Sequence, residues 1–156
     1  MVKVLFVCHG NICRSPMAEY MFKDLVKKEG LEDKFIIESA ATSTEEIGNP
    51  VHYGTLNILK RLGINPKDKR ACQIDFEMYK NYDYIIIMDK YNHYNIVNRL
   101  GHMYENKIKL LLEYASIHRD ISDPWYTGDF EATYEDIKIG LDGFLNYLKS
   151  NDLIGE

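Results

Sequence analysis

Short apolar runs alternate along the chain with longer segments in which apolar residues recur every three or four positions. The runs are rich in β-branched residues, and the third, Tyr84–Met88, is apolar throughout, which is typical of a strand covered on both faces. The longer segments have the spacing of amphipathic helices. The pattern predicts strands at 2–8, 35–41 and 84–88, helices at 16–28, 50–62 and 90–100, a short helix near 75–79 and a final helix through 137–148.

Residues with strong capping preferences mark the predicted helix ends. Ser15 before Pro16 is typical of an N-cap followed by the first helical residue, and Asn49 before Pro50 repeats that signal. Asp89 can cap the helix that follows the third strand. Strands that alternate with helices predict an α/β fold with a parallel sheet, in which ligands bind beyond the carboxyl ends of the strands.

The composition is that of a soluble globular domain. A length of 156 residues, with 46% hydrophobic and 28% charged residues, predicts one domain over residues 1–156. The net charge of −5, with no basic block, argues against nucleic acid as a general partner. The first apolar run is too short for a membrane span and has no basic leader, so we expect no membrane association.

The cysteines indicate the compartment. Cys8, Cys13 and Cys72 form an odd set without a CxxC pair or a histidine at metal-ligand spacing. This usage favours a reducing compartment, so we expect the protein to be cytoplasmic. It also predicts no zinc site.

Residues 8–16, with the sequence Cys-His-Gly-Asn-Ile-Cys-Arg-Ser-Pro, join the first strand to the first helix. A loop that opens a helix directs backbone N–H groups inward and adds the positive end of the helix dipole, so it binds phosphate-like anions and favours a thiolate. Arg14 has paired planar donors that match two phosphate oxygens, and Gly10 and Asn11 let the loop fold tightly. The stretch predicts an anion-binding loop with Cys8 as its nucleophile, and the Ser15 hydroxyl could donate to that sulfur when it leaves.

Each of these residues also has an ordinary structural interpretation. A cysteine at the end of a buried strand is usually a small core residue. For Cys8, the glycine, asparagine, arginine and Ser-Pro pair at fixed offsets favour the nucleophile instead. Asp123 before Pro124 is by itself most simply a turn in which the aspartate accepts from its own backbone. From the residues alone, Asp123 stays a turn residue.

The stretch 8–16 resembles the signature of the low-molecular-weight protein tyrosine phosphatases. A second motif, Asp123-Pro124-Trp125-Tyr126, lies where that family keeps its general acid, so the resemblance covers essentially the whole chain. It implies a single α/β domain with a central four-stranded parallel sheet, helices on both faces and a phosphate-binding loop after strand 1. It also implies a fourth strand at 107–114, where the pattern alone fits a helix about as well.

The implied reaction is hydrolysis of phosphotyrosine, and of small aryl phosphates, through a phosphocysteine formed on Cys8 without a metal or cofactor. Arg14 would bind the phosphate and the transition state, while Asp123 would protonate the phenolic oxygen and later take a proton from the attacking water. Trp125 and Tyr126 would form an apolar wall, although a core position is the alternative for Trp125. The implied partners are proteins that carry phosphotyrosine. Inorganic phosphate or sulfate would lie against the loop residues His9, Gly10, Asn11, Ile12, Cys13, Arg14 and Ser15.

The same resemblance gives supporting roles to residues beside the reacting groups. Ser39 would belong to a hydrogen-bond network that fixes Asn11 and hence the loop, although both could equally be ordinary turn residues. Cys13 could form a reversible disulfide with Cys8 and protect it from over-oxidation, or simply pack the loop as a small buried residue.

Three positions depart from the family pattern and bear on specificity. His9 stands where many relatives have an aliphatic residue. It is either simply exposed or, if protonated, able to favour the Cys8 thiolate or to select acidic substrates. Thr44-Glu45 stands where relatives often have an aromatic residue, so we expect a polar wall there. Lys69 stands where some relatives have histidine, which could leave the network around Asn11 incomplete.

Three other functions are compatible with parts of the sequence. Arsenate reductase uses a similar loop but needs a downstream cysteine pair, whereas only Cys72 follows the loop here. Phosphoarginine phosphatases of the same family have threonine where this chain has Ile12, and isoleucine can neither orient a water nor accept a hydrogen bond. A non-catalytic phosphate-binding module would not need both Cys8 and Asp123. Phosphotyrosine hydrolysis is therefore the predicted function.

Overall fold

A parallel sheet of four strands lies at the centre of the computed structural model, which describes residues 1–154. The strands are β1 (Val2–Cys8), β2 (Phe35–Ala41), β3 (Tyr84–Ile87) and β4 (Ile108–Leu110). Their order is β2-β1-β3-β4, and each neighbouring pair is parallel. The predicted α/β fold with a four-stranded parallel sheet is therefore confirmed.

Six α-helices and three short 3-10 helices lie between and after the strands within the described residues. None of these helices is both long and apolar enough to cross a bilayer. The α-helices are α1 (Arg14–Lys28), α2 (Tyr53–Arg61), α3 (Phe76–Asn81), α4 (Lys90–Leu100), α5 (Pro124–Thr127) and α6 (Phe130–Ser150). The 3-10 helices are Glu32–Lys34, Glu105–Lys107 and Leu111–Ala115.

The side chains of β1 alternate between two cores, one on each face of the sheet. Val4 and Phe6 face the larger core, which includes residues of α1 and α6. Leu5 and Val7 face the second core, which includes residues of α3 and α4. All four side chains are fully buried, which is why the apolar run of the first strand is continuous.

The order of the strands places two polar residues at the same edge of the sheet. Strand β2 lies on one side of β1 and β3 on the other, so the chain reverses its direction of winding beside β1. Such a switch point leaves a crevice where ligands bind in parallel α/β sheets. Cys8 ends β1 and Asp89 closely follows β3, so both residues lie at that crevice.

Helix α2 begins three residues later than predicted. The predicted start at Asn49-Pro50 is wrong because this segment is extended. The Asn49 carbonyl accepts from the Ala71 N–H at 2.9 Å, and Pro50 forms an antiparallel β-bridge with Arg70, the residue before Ala71. The helix begins instead after His52, which is its N-cap. Pairing with a distant segment thus overrides a local helix signal.

Helix α1 begins at Arg14, two residues before the predicted start at Pro16. The predicted N-cap at Ser15 is wrong, since Cys13 occupies that position and makes no side-chain capping bond. The Ser15 hydroxyl contacts the sulfur of Cys8 instead. The first turn of the helix is therefore part of the loop.

Strand β4 is shorter than the fourth strand that the family resemblance implied. It ends at Leu110, so the predicted strand at 107–114 is wrong beyond that residue, where a 3-10 helix follows. Helix α6 lies so close to this segment that a Cβ on Gly140 would be 2.5 Å from Leu111 Cγ. Leu111 and Leu112 are buried there, because the chain turns under α6 instead of extending the sheet.

The predicted helix 90–100 and the predicted end of α1 at residue 28 are confirmed, whereas α3 extends to Asn81 and α6 begins at Phe130, before the predicted range. Asp75 caps α3 by accepting from the Met78 N–H, and Asp89 caps α4 in a capping box with Asn92. Helix α4 ends before Gly101, whose φ of 90° lies in the left-handed region that glycine favours.

Candidate active site

A cleft opens at the carboxyl edge of the sheet, where the loop after β1 meets α5. It encloses about 100 Å³ and contains Cys8, Arg14 and Asp123. Other loop residues line it, together with Glu45 and Glu46 from the segment after β2. The three residues predicted to be catalytic are therefore brought together, although they belong to two distant parts of the sequence.

Cys8 lies at the end of β1 and is only 3% exposed. Its Sγ is 3.0 Å from Ser15 Oγ, and it accepts from the Asn11 backbone N–H at 3.3 Å. A hydroxyl and an N–H can both donate to sulfur, so this arrangement suits a thiolate.

Most backbone N–H groups of the loop have no acceptor in the described part of the chain. Buried N–H groups are normally paired, but the first N–H groups of a helix have no partner within the helix. Several free donors beside a helix N-terminus form an arrangement that binds an oxyanion. The N–H groups without an acceptor among residues 1–154 are those of His9, Gly10, Ile12, Cys13, Arg14 and Ser15.

Asn11 holds the loop in its conformation through three hydrogen bonds. Its side-chain amide donates to Ser15 Oγ at 2.8 Å and to Ser39 Oγ at 2.9 Å. Its Oδ1 accepts from the Cys72 backbone N–H at 3.1 Å. Asn11 has a φ of 59°, in the left-handed region that asparagine tolerates. The tight turn therefore depends on Asn11, whereas Gly10 does not have a positive φ.

A buried carboxylate extends this network behind the loop. Ser39 Oγ donates to Glu19 Oε1 at 2.5 Å, and Lys23 Nζ donates to Glu19 Oε2 at 2.6 Å. Lys69 Nζ lies 3.8 Å from Glu19 Oε1 and donates to the Ser39 carbonyl at 2.9 Å. Glu19 is 1% exposed, and a carboxylate so buried needs paired cations. The network that Lys69 was expected to leave incomplete is therefore closed by Lys69 itself.

The Arg14 guanidinium is 2% exposed and is held by three acceptors from other segments. Nη1 donates to Asp89 Oδ2 at 2.7 Å and to the Ile121 carbonyl at 2.9 Å. Nη2 donates to Asp123 Oδ2 at 3.4 Å. Burial would lower the pKa of this guanidinium, but attraction to Cys8, Asp123 and Asp89 outweighs burial and raises the pKa above its ordinary value. The positive charge is therefore permanent.

The other edge of the guanidinium keeps two donors for a ligand. Arg14 has five N–H donors, of which its contacts with protein acceptors use two on Nη1 and one on Nη2. The Nε–H and the second Nη2–H have no acceptor within residues 1–154. A pair of donors on one edge of the plane can bind two phosphate oxygens together.

Asp89 and Asp123 have the same double role, since each caps a helix with one oxygen and faces Arg14 with the other. Asp89 Oδ1 accepts from the Asn92 N–H at 3.0 Å, and Asp123 Oδ1 accepts from the Trp125 N–H at 3.0 Å. The Asp123 side chain is 23% exposed, so it can exchange a proton with solvent or a ligand. The turn interpretation and the acid interpretation of Asp123 are thus compatible with one geometry.

Trp125 and Tyr126 border the cleft with largely exposed rings. Trp125 is 57% exposed and Tyr126 is 82% exposed, so the core alternative for Trp125 is wrong. The Trp125 ring packs edge-on against the imidazole of His52, with ring centroids 5.6 Å apart. Exposed rings beside an anion-binding loop provide a surface for an aryl group.

His9 and Glu45 lie at the rim of the cleft and contact each other through His9 Nε2 and the Glu45 carboxylate. Both side chains are exposed, and exposed pairs contribute little to stability. The His9 carbonyl accepts from the Ser43 N–H at 3.1 Å, which ties the rim to the loop. The polar wall expected at 44–45 is present through Glu45 and Glu46.

All three cysteines are free thiols. Burial, with smaller contributions from the negative groups of Cys8 and Asp123, raises the pKa of Cys13 to about 12. Burial also raises the pKa of Cys72. Neither Cys13 nor Cys72 therefore favours the thiolate at neutral pH.

Four positions at the site lie outside the sequence predictions: Asp89 and Ile121 against Arg14, Glu19 behind the loop, and His52 beside Trp125. Asp89 was predicted only as a helix cap, although its place after a buried strand could have identified it. Glu19 and His52 carry no such signal, because only the tertiary fold shows that they are close to the loop. In residues 1–154, no group of three or more His, Cys, Asp or Glu side chains is arranged to hold a metal ion.

Comparison with known proteins gives a family match that spans nearly the whole chain. The model of the family described as low molecular weight phosphotyrosine protein phosphatase matches residues 3–153. The low molecular weight protein-tyrosine-phosphatase YfkJ of Bacillus subtilis is 45% identical over 147 residues, which cover 93% of this chain and 94% of YfkJ. The crystal structure of YfkJ superposes with a TM-score of 0.93 at 42% identity, over 97% of this chain and 96% of that one.

Two further solved structures share the fold. SP-PTP, a low molecular weight protein tyrosine phosphatase from Streptococcus pyogenes, has a TM-score of 0.86 at 44% identity, over 95% of this chain and 93% of that one. DARP, a drosophila arginine phosphatase, has a TM-score of 0.87 at 31% identity, over 95% of this chain and 98% of that one. These matches, the cleft and the loop that follows β1 agree with one another, and the chain belongs to the low-molecular-weight protein tyrosine phosphatase family.

Proposed function

We propose that this protein hydrolyses phosphotyrosine in proteins, and small aryl phosphates, through a phosphocysteine intermediate. The observation that carries the proposal is that Cys8, Arg14 and Asp123 share one cleft, beside loop N–H groups without an acceptor in residues 1–154. Family membership supports the substrate, because YfkJ and SP-PTP are named protein tyrosine phosphatases.

The first step forms the phosphocysteine. The Cys8 thiolate attacks phosphorus, and the bond from phosphorus to the phenolic oxygen breaks. The loop N–H groups and the free edge of Arg14 hold the nonbridging oxygens while charge moves onto them. The contacts from Ser15 and Asn11 orient the sulfur and stabilise it when it later leaves.

Asp123 supplies and then removes the proton that the reaction needs. It protonates the phenolic oxygen as the bond to phosphorus breaks. In the second step it accepts a proton from the water that attacks the phosphocysteine, which releases inorganic phosphate and restores the thiolate. The capping bond from the Trp125 N–H fixes one oxygen of Asp123 and so orients the other.

The lining of the cleft supports an aryl substrate. In the proposal, Trp125 and Tyr126 pack against the phenyl ring while the loop holds the phosphate. Glu45 and Glu46 make the part of the lining that follows β2 polar. We further propose that the protein acts in the cytoplasm, because three free thiols are typical of a reducing compartment.

Phosphoarginine hydrolysis is the second candidate function. It is favoured by the similarity to DARP, which is named an arginine phosphatase. The side chain of Ile12 argues against it, because it is apolar, 8% exposed and packed with Cys13 and Ala71. Such a side chain can neither accept a hydrogen bond from a guanidinium nor position a water.

The test is release of phosphate from two peptides of one sequence, one with phosphotyrosine and one with phosphoarginine, without added metal. We expect fast release from the phosphotyrosine peptide only. Cys8→Ser should abolish release, since a hydroxyl at this position remains protonated and is a poor nucleophile. A rise in melting temperature of that variant with inorganic phosphate would show that its loop is intact.

Each other outcome contradicts a defined part of the proposal. Release mainly from phosphoarginine would overturn the substrate and the interpretation of Ile12, but not the nucleophile. Full activity of Cys8→Ser would overturn the phosphocysteine mechanism. No release from either peptide would contradict a phosphatase, and assays with arsenate would then separate an arsenate reductase from a phosphate-binding module.

A further inference from the structure

The N-terminal end of α2 is anchored to the phosphate loop. The His52 N–H donates to the Ile12 carbonyl at 2.9 Å, and Thr55 Oγ1 donates to the Cys13 carbonyl at 2.9 Å. Thr55 is fully buried, so its hydroxyl has little freedom to turn away. Two consecutive carbonyl groups of the loop are therefore held by the first turn of α2.

The same end of α2 packs against the start of α6 through aromatic rings. The His52 ring stacks on Phe130, with centroids 5.2 Å apart and an interplanar angle of 13°. It also stacks on Tyr53 at 4.4 Å and 28°. A Cβ on Gly54 would be 2.4 Å from the Phe130 ring, so glycine is required for this close approach.

His52 is also the neighbour of Trp125. The two rings meet edge to face, with centroids 5.6 Å apart and an interplanar angle of 77°. Among residues 1–154, no other aromatic ring contacts Trp125. An exposed side chain samples several rotamers, and contact with a fixed ring restricts that choice.

The capping bond of α2 fixes the ring of His52 itself. Its Nδ1 accepts from the Gly54 N–H at 3.0 Å, so the proton of the neutral ring is on Nε2. Serine, threonine, aspartate and asparagine are the usual N-caps, and any of them could supply this acceptor. Histidine adds a flat ring that reaches Phe130 and Trp125.

We propose that His52 is a positioning residue, which holds Trp125 and hence the wall for the aryl ring at a fixed distance from the phosphate loop. The aryl substrate in this proposal rests on the proposed function, whereas the contact between the rings of His52 and Trp125 is independent of it. His52 acts through Trp125 and does not line the cleft. It should therefore affect binding of the aryl ring without affecting binding of phosphate.

Two substitutions separate the cap of His52 from its ring. His52→Asn keeps a good cap and removes the ring, so we expect KM for a phosphotyrosine peptide to rise about 2–10-fold. Its kcat and its Ki for inorganic phosphate should stay within about twofold of wild type. The conservative variant His52→Phe keeps the ring and removes the acceptor. It should restore KM while the melting temperature falls by about 2–4 °C.

A double-mutant cycle tests whether His52 acts through Trp125. In a Trp125→Ala background, His52→Asn should raise KM no further, because the ring that it positions is absent. Additive effects of the two substitutions would overturn the proposal. So would an equal rise in KM and in the Ki for phosphate, since His52 would then act on the loop.

Fluorescence gives a readout that needs no activity, because Trp125 is the only tryptophan of the chain. We expect acrylamide to quench the His52→Asn protein more strongly than wild type, and the His52→Phe protein about as weakly as wild type. Equal quenching of all three would overturn the proposal. An inactive wild type with the expected quenching would refute only the proposed phosphatase function. If His52→Asn fails to fold, His52→Ser provides another good cap without a ring.

Discussion

The base and the rim of the cleft hold their polar groups in different ways. At the base, Asn11, Ser39 and Glu19 are each 1% exposed, and each has at least two side-chain hydrogen bonds. At the rim, the side chains of His9 and Glu45 are 45% and 67% exposed, and they contact each other. The base is thus a buried network in which each of these side chains is paired, whereas the side chains of the rim are accessible to water.

This difference separates the chemistry from the choice of substrate. A buried polar network is stable only when every member is paired, so any change at the base should disturb the loop. Exposed groups at the rim can be replaced at little cost in free energy of unfolding. We therefore expect substitutions at the base to lower stability and turnover, and substitutions at the rim to change KM alone.

Asp123 tests this separation most severely, because its side chain is 23% exposed while one of its oxygens faces the buried Arg14. We expect Asp123→Asn to lower kcat for a phosphotyrosine peptide by about 10²–10⁴-fold, since the amide cannot donate the proton. Stability should fall only slightly: asparagine is an equally good cap for α5, and Arg14 loses its acceptor at 3.4 Å but keeps Asp89 and the Ile121 carbonyl. Steady-state kinetics and a thermal melt measure the two effects.

The control for Asp123 is Asp120→Asn, which removes a nearby carboxylate that accepts from the Lys90 N–H. Its kcat should stay within about twofold of wild type. A second comparison uses p-nitrophenyl phosphate, whose leaving group needs less help from an acid, so Asp123→Asn should lose less activity with it. An equal loss of kcat/KM with both substrates would show that Asp123 is not the acid, because kcat/KM reports only the steps up to release of the phenol.

Glu19 tests the base alone. We expect Glu19→Gln to lower the free energy of unfolding toward the lower end of the range of about 3–5 kcal/mol for a broken buried ion pair. The lower end applies because Lys23 is partly exposed and can find water. Urea denaturation measures the loss, and kcat should fall because Ser39 and Asn11 lose their anchor.

Glu29→Gln is the matched control, since Glu29 pairs with Lys149 and both side chains are exposed. It should cost about 0–1 kcal/mol. If both glutamate variants lost the same stability, the buried network would have no special role, and the comparison of base with rim would fail.

The sequence predicts the base of the cleft only where its residues are adjacent. Residues 8–16 follow a strand and open a helix, so local chemistry was enough to predict an anion-binding loop. Glu19 lies in α1, where a glutamate normally faces solvent, and only the packing of α1 against β2 brings it to Ser39. The family resemblance supplied Ser39 and Asp123, which no local pattern distinguishes from turn residues.

Two of the errors have a common physical cause, which is competition between a helix-start signal and a partner that lies outside the helix. Asn49-Pro50 looks like a helix start, but it pairs with residues 70–71 and stays extended. Ser15 looks like a cap, but its hydroxyl contacts Cys8 and Asn11. The partner of Asn49-Pro50 is provided by the tertiary fold and those of Ser15 by the loop itself, so helix propensity could anticipate neither.

Tyr126 also borders the cleft with an exposed side chain, so it tests what is expected of the rim. We expect Tyr126→Ala to raise KM for a phosphotyrosine peptide by about 2–10-fold, because one face of the aryl wall is lost. Its kcat and its free energy of unfolding should change little, since the side chain is 82% exposed. Tyr94→Ala is the control, because Tyr94 is also exposed but does not line the cleft. A fall in stability with Tyr126→Ala would contradict the separation of rim from base.

Cys13 lines the cleft but belongs to neither the buried network nor the rim, and it should give the smallest change in turnover. We propose from the family resemblance that it resolves oxidised Cys8: the Cys13 thiolate attacks the sulfenic sulfur, the S–O bond breaks, and hydroxide leaves as water. Peroxide is the oxidant. Cys13→Ala should alter kcat by less than about threefold, but it should lose the recovery of activity that a thiol reductant gives after peroxide treatment.

The ionisation of the Cys13 thiol sets how the rate of this protective disulfide formation depends on pH. Burial raises the pKa of Cys13 to about 12, so its thiolate is scarce at neutral pH. Below that pKa, the thiolate fraction rises about tenfold for each unit by which the pH increases. Disulfide formation should therefore accelerate from pH 7 to pH 9, as measured by alkylation and mass spectrometry. Over-oxidation of Cys8 would compete best at the lower pH. A disulfide rate independent of pH, or full recovery of Cys13→Ala, would show that Cys13 only packs the loop.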